Sequence, residues 1–82
     1  MEKFRVIIVE DVPLELKGTE GIFRNEIPEA EIIGTAESEV AYWKLIKQNL
    51  PDLVLLDLGL GGSTTVGVEI CRQTKQTYPN VK

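Results

Sequence analysis

Two apolar segments of the chain each end in carboxylate side chains that could carry chemistry. The segment from Phe4 to Val9 runs into Glu10 and Asp11, and the segment that starts at Leu53 runs into Asp57. Near-continuous runs of Val, Ile and Leu are typical of strands in a parallel sheet that is covered on both faces, and ligands bind at the carboxyl ends of such strands. If the two strands are neighbours, three acidic groups meet at one edge, where their mutual repulsion calls for a cation. The sequence therefore predicts a divalent metal site.

Each of these acidic residues also has a purely structural interpretation. Asp is common where strands finish, so Asp57 alone could equally be a turn residue. Asp11 could instead be the N-cap of a following helix. Acidic groups at the ends of two separate buried strands, with Asp11 and Asp57 46 positions apart in the sequence, favour a site over two unrelated turns.

The composition limits the kind of protein that this chain can be. It has 82 residues, a net charge of −4 and one cysteine, Cys71, so we expect one small domain without an internal disulfide. The acidic balance argues against a nucleic-acid surface, and no stretch approaches the roughly 20 apolar residues of a membrane span. We therefore predict a cytoplasmic protein, with Cys71 as a small buried side chain.

Alternating patterns of hydrophobicity predict three strand–helix units. Pro13 is expected in the first turn of the first helix and Pro28 after its end, while Ser38 is the expected N-cap of the second helix. Such an alternation is typical of an α/β fold with a parallel sheet. The predicted strands run from Phe4 to Val9, from Ala30 to Ala36 and from Leu53 to Asp57. The third helix is predicted from about Val66 to Tyr78, and Val81 is the predicted start of a fourth strand. The predicted apolar sides are Val12, Leu16, Phe23 and Ile27 in the first helix and Val40, Trp43, Ile46 and Leu50 in the second.

Three glycines follow the third predicted strand, namely Gly59, Gly61 and Gly62. The segment does not fit G-x-G-x-x-G, because Thr64 stands in place of the third glycine, and it has no P-loop lysine. We therefore expect a turn rather than a nucleotide site, and no nucleotide cofactor.

The sequence resembles the receiver domain of bacterial two-component response regulators. The segments that carry the resemblance run from Arg5 to Leu14 and from Pro51 to Leu58. The resemblance implies a flavodoxin-like (CheY-like) α/β fold, whose five parallel strands have the order 2-1-3-4-5. Residues 1–82 would be the N-terminal two thirds of that domain, with the first three βα units only and the strand order 2-1-3. The segments around Val12 and from Ile32 to Ala36 are most similar to receivers of the LuxR/NarL type.

The resemblance also implies roles for individual residues in a phosphorelay. Asp57 corresponds to the phosphoacceptor, which receives a phosphoryl group from a sensor histidine kinase or a phosphotransfer protein. Asp11 corresponds to a direct ligand of Mg²⁺ (or Mn²⁺), Glu10 to a ligand that acts through water, and Gly59 to the main-chain carbonyl ligand. Such a domain catalyses only its own phosphorylation and is a signalling domain rather than an enzyme with turnover.

The chain departs from the family pattern at several positions. Glu10 replaces the usual Asp, Gly61 replaces the usual Pro, and the position of Gly67 implies about two extra loop residues. The family's switch hydroxyl and its lysine would lie beyond Lys82, as would any DNA-binding output domain. With those segments absent we expect the edge of the third strand to be exposed and the chain to self-associate.

Two other functions remain open at this point. One is a receiver-like interaction module that does not respond to phosphate. The other is a phosphatase with an aspartate nucleophile, although Gly59 stands where the second Asp of the D-x-D motif of those enzymes would be.

Overall fold

The computed structural model describes residues 3–57, 59–60 and 64–82. Its elements alternate strictly between strand and helix, in the order β1 (Phe4–Val9), α1 (Pro13–Glu26), β2 (Ala30–Ala36), α2 (Glu39–Gln48), β3 (Leu53–Leu56) and α3 (Thr64–Thr77). The three strands form one parallel sheet in the order β2-β1-β3. The predicted α/β fold and its 2-1-3 strand order are thus confirmed. Gly61, Gly62 and Ser63, which belong to the predicted loop, lie outside the described residues, as does Leu58.

Helices cover both faces of the sheet, which explains the apolar run from Val6 to Val9 in β1. Successive side chains of a strand point to opposite faces. Val6 and Ile8 pack with Leu16 and Phe23 of α1. On the other face, Ile7 and Val9 pack with residues of α2 and α3, and the full cluster there is Ile7, Val9, Ala36, Tyr42, Ile46, Leu60 and Ile70. Because β1 is central, both faces of its segment from Val6 to Val9 are buried and apolar, whereas Arg5 precedes this segment and is exposed.

The starts of two helices follow the predicted capping pattern. Pro13 is the first residue of α1, where its missing N–H costs nothing. The Oγ atom of Ser38 accepts a hydrogen bond of 3.2 Å from the N–H of Ala41 at the start of α2. The N-cap of α1 is Val12 rather than Asp11, so the capping interpretation of Asp11 is wrong.

The buried faces of α2 and α3 differ in part from those predicted, although Ile46 is buried as expected. In α2 the buried residues are Tyr42 and Ile46, whereas Val40 is 67% exposed. Val40 precedes Tyr42 by two residues, about 200° around a helix, and therefore points away from the sheet. In α3, Ile70 and Thr74 are buried while Cys71 is exposed. The prediction of a buried Cys71 is wrong, because one residue after Ile70 lies about 100° from the buried face.

The β1–β2 pair contains a register shift, and α2 lies close to β2 next to it. Val6 pairs with Ile32 but Ile7 pairs with Gly34, so that Ile33 is an extra residue in β2. A Cβ atom on Gly34 would lie only 3.0 Å from Cδ2 of Leu45 in α2. The glycine therefore allows the close approach of this helix to the edge strand.

The other edge of the sheet already carries the start of a further pairing. The N–H of Val54 donates to the carbonyl of Lys82 (2.9 Å), and the N–H of Lys82 donates to the carbonyl of Asp52 (3.0 Å). This is the pattern of a parallel bridge opposite Leu53, although the structure assigns no strand at the predicted start, Val81. Within the described ranges, no helix is long and apolar enough to cross a membrane.

Candidate functional site

The end of β1 fixes the position of the first acidic pair. The N–H of Glu10 donates to the carbonyl of Ala36 at the end of β2 (2.9 Å). Oε1 of its side chain accepts a hydrogen bond of 3.1 Å from the N–H of Val12, two residues further along the chain. Pro13 starts α1 immediately afterwards. Glu10 and Asp11 therefore occupy the short connection between a buried strand and a helix, at the carboxyl edge of the sheet.

The end of β3 places Asp57 beside this connection. The N–H of Asp57 donates to the carbonyl of Val9 (3.0 Å), which sets the two strand ends side by side. Oδ1 of Asp57 accepts a hydrogen bond of 3.0 Å from the N–H of Gly59, and its main-chain carbonyl accepts one of 3.2 Å from the N–H of Leu60. Asp57 therefore organises the turn that follows it, so its turn role and a role in a site are compatible.

The three carboxylates meet at one point, as their positions at the strand ends predict. Glu10, Asp11 and Asp57 each offer an oxygen atom, and these three atoms lie within 4.8 Å of one another. All three residues are partly buried, so the cluster is open to solvent on one side. Carboxylate oxygens are the ligands that Mg²⁺ prefers, and Mg²⁺ keeps several waters when few protein groups bind it. This set of donors fits a hard divalent cation.

The electrostatics of the cluster are visible at Glu10. Partial burial raises the pKa of this carboxyl above its ordinary value, and the neighbouring Asp57 carboxyl raises it further. The hydrogen bond from the Val12 N–H acts in the opposite direction and lowers that pKa. The Asp57 carboxyl therefore disfavours the ionisation of Glu10, and a bound cation would relieve this repulsion.

Gly59 lies next to the cluster without a steric requirement for glycine. A Cβ atom at this position would stand 3.5 Å from Oδ1 of Asp57, an ordinary van der Waals distance. The role of its carbonyl as a metal ligand stays a prediction. Lys82, by contrast, pairs its main chain with Asp52 and Val54, at the end of β3 opposite to Asp57, which agrees with its exclusion as the family's lysine.

Sequence reasoning missed one residue near the cluster. Leu60 lies within the turn predicted after the third strand, yet it is 2% exposed and belongs to the core on the α2/α3 side of the sheet. An isolated leucine among glycines, three residues after a candidate site residue, was the signal that could have found it.

Comparisons with known proteins give the family and the fold. A family profile described as "Response regulator receiver domain" matches residues 6–82. The chain is 39% identical over 57 residues to a protein-glutamate methylesterase/protein-glutamine glutaminase of Rhodopseudomonas palustris, which covers 70% of this chain but 15% of that protein.

Two solved structures share the fold at low sequence identity. The isolated REC domain of RcsB from Salmonella enterica serovar Typhimurium, solved in the presence of phosphomimetic BeF3⁻, superposes with a TM-score of 0.86 at 21% identity, covering 99% of this chain and 59% of that one. A LuxR-family two-component response regulator from Aurantimonas sp. SI85-9A1 gives a TM-score of 0.83 at 23% identity, covering 99% of this chain and 56% of that one. The chain spans less than two thirds of the length of each of these relatives. Because the profile matches nearly all of its residues, the chain belongs to the response regulator receiver domain family.

Proposed function

We propose that this chain is a receiver that accepts a phosphoryl group on Asp57, from a sensor histidine kinase or a phosphotransfer protein, in a reaction that depends on Mg²⁺. The observation that carries the proposal is the convergence of Glu10, Asp11 and Asp57, with one oxygen of each within 4.8 Å of the others. Membership of the receiver family supports it. Residues 1–82 would be the first three βα units of the domain, in keeping with the 59% of the isolated RcsB receiver that the chain covers.

The residues of the cluster have distinct tasks in this proposal. A carboxylate oxygen of Asp57 attacks the phosphorus atom in line with the bond to the donor, which leaves with that bond's electrons, and an aspartyl phosphate forms. Asp11, Asp57 and the Gly59 carbonyl would hold Mg²⁺, with Glu10 holding one of its waters. When bound, Mg²⁺ neutralises charge on the phosphoryl oxygens. The Gly59 N–H, already 3.0 Å from Oδ1 of Asp57, orients the carboxylate before the reaction.

The partners of the chain follow from the same proposal. The kinase or phosphotransfer protein supplies the phosphoryl group, and a DNA-binding output domain beyond residue 82 would carry the response, as in regulators of the LuxR type. The chain has a net charge of −4. Because nucleic acid is also negatively charged, this chain would not itself contact it. For the 82-residue chain alone we also propose self-association along the outer edge of β3.

The first experiment is phosphorylation of the protein expressed from the intact gene. Incubation with acetyl phosphate and Mg²⁺, followed by intact mass measurement, should add one phosphate that persists, and Asp57→Asn should abolish it. Asp52→Asn is the matched control, because Asp52 lies at the opposite end of β3 and accepts a hydrogen bond from the N–H of Arg5 that Asn can also accept. Phosphate on Asp57→Asn would refute the assignment, multiple turnover would support a phosphatase, and no reaction would support an interaction module.

The second experiment measures the metal directly on the 82-residue chain. Titration with Mn²⁺ should show weak binding that Asp57→Asn and Asp11→Ala both reduce, because each removes an oxygen ligand and a negative charge. Asp52→Asn again serves as the control. Equal affinities for all four proteins would contradict a metal site at this edge of the sheet.

A further inference from the structure

In the described part of the turn that follows Asp57, Leu60 attaches the main chain to the protein core. Leu60 is 2% exposed and belongs to the same apolar cluster as Tyr42 and Ile70. Gly59, the residue before it, is exposed and has no side chain to hold it in place. Among residues 57, 59 and 60, only Leu60 contributes to the core, so the position of the turn depends on it.

Two hydrogen bonds connect this attachment to the acidic cluster. The N–H of Leu60 donates to the main-chain carbonyl of Asp57 (3.2 Å), and the N–H of Gly59 donates to Oδ1 of the same residue (3.0 Å). The carboxylate of Asp57 is therefore oriented by the N–H of Gly59, the residue that precedes Leu60 in the chain. If the Leu60 side chain were lost, the Gly59 N–H would no longer be held against Oδ1, since glycine is the least restricted residue of the backbone.

We infer that Leu60 is a positioning residue: its burial fixes the Asp57 carboxylate and the main chain of Gly59 in the geometry that binds the metal and presents the nucleophile. The inference rests on the proposed function for the identity of the ligand, but the placement of the Gly59 N–H can be measured without any metal. Groups that orient metal ligands typically change metal affinity by 10- to 100-fold when they are removed.

A matched pair of variants separates positioning from general loss of packing. Leu60→Ala removes the attachment of the turn, whereas Ile70→Ala removes a side chain of equal volume that is 1% exposed in the same cluster but belongs to α3. Leu60→Met keeps a long apolar side chain and should restore the wild-type behaviour. If either alanine variant fails to fold, Leu60→Val and Ile70→Val form the corresponding milder pair.

The measurements are Mn²⁺ affinity and amide hydrogen exchange of Gly59, both on folded protein. We expect Leu60→Ala to weaken Mn²⁺ binding about tenfold and to speed exchange of the Gly59 N–H in the metal-free protein. Ile70→Ala should change neither relative to the exchange of amides in β1. Equal effects of the two variants, or none from Leu60→Ala, would overturn the inference. If the wild type fails to bind Mn²⁺, or Asp57→Asn binds it equally well, the proposed function fails, while the exchange of Gly59 still decides whether Leu60 holds the turn.

Discussion

Folding of the protein disfavours the ionisation of Glu10 in the acidic cluster. Its pKa is raised by partial burial and by the nearby Asp57 carboxyl, in spite of the hydrogen bond from the Val12 N–H. The folded state therefore binds the proton of Glu10 more tightly than the unfolded state does. The stability that this group contributes is present below its ordinary pKa of 4.5 and is lost as the pH rises from there through the raised value in the folded protein.

Glu10→Gln should consequently stabilise the metal-free protein at neutral pH. The Gln side chain keeps an oxygen acceptor for the Val12 N–H and removes one negative charge from the cluster. We expect a gain of a few tenths of a kcal/mol in the free energy of unfolding, because solvent screens charges at partly exposed sites. The measurement is urea unfolding in the presence of EDTA at neutral pH and again below pH 4, where the gain should disappear.

The control for this change is Glu31→Gln, which removes the same charge from an exposed position in β2. It should not reproduce the pH-dependent gain. In the Mn²⁺ titration, Glu10→Gln should bind more weakly than the wild type, so the variant exchanges affinity for stability. A variant that lowers stability at neutral pH would show that the charged carboxylate gains more from the Val12 N–H than it loses through repulsion by Asp57.

The residues of the cluster were predictable because their positions depend only on strand direction. Once two apolar runs are parallel neighbours, Asp11 and Asp57 must meet at the carboxyl edge, whatever the details of the packing. Leu60 was not predictable in this way, since its burial depends on its packing with residues of α2 and α3 that are distant in sequence. Local periodicity contains no information about a single apolar residue in a turn.

At the scale of elements, helix and strand positions were more predictable than helix orientation. Proline positions and the Ser38 cap set the helix starts locally, and β2 has the predicted bounds, Ala30–Ala36. Which face of α2 is buried is decided by the packing of Tyr42 and Ile46 into the core cluster, and this packing is a property of the tertiary structure. The error at Val40 follows from this.

A buried polar pair joins α2 and α3. The hydroxyl of Tyr42 and Oγ1 of Thr74 are 2.7 Å apart, and the two residues are 0% and 6% exposed. Tyr42→Phe or Thr74→Val should each cost about 1–2 kcal/mol of unfolding free energy, because each leaves one buried hydroxyl without this partner. The double variant should cost less than the sum of the two, as urea unfolding of all four proteins would show.

The alkaline limit of stability gives a second test of this pair. Burial raises the pKa of Tyr42 above its ordinary value of 10.0, although the hydrogen bond with Thr74 acts in the opposite direction. The contribution of Tyr42 to stability is therefore full below pH 10 and falls as the pH rises from there toward the raised value. Tyr42→Phe should lack this part of the alkaline decline. Strictly additive costs in the double variant, together with an unchanged alkaline decline in Tyr42→Phe, would contradict the account.

At the scale of the whole molecule, the sheet has two edges of different character. β2 forms one edge of the described sheet, and α2 packs closely against it at Gly34. β3 forms the other edge. On the outer side of β3, the Val54 N–H and the Asp52 carbonyl are hydrogen-bonded to the main chain of Lys82. This edge therefore already has the geometry that pairing with another strand requires. Leu55 is 40% exposed. Exposed edge strands of this kind are templates for pairing with another chain.

We therefore expect the 82-residue chain to self-associate through the outer edge of β3, and light scattering at increasing concentration should show a mass above that of the monomer. Leu56→Pro should shift the population to monomer. The Leu56 N–H lies on the outer side of β3, as does the Val54 N–H that donates to Lys82. Proline removes the N–H of residue 56 while sparing the pairing of β3 with β1. Leu56→Ala is the matched control: it loses similar apolar packing but keeps the N–H, and it should associate as the wild type does. A wild type that stays monomeric at millimolar concentration would show that the Lys82 bridge and the short length of β3 are enough to protect this edge.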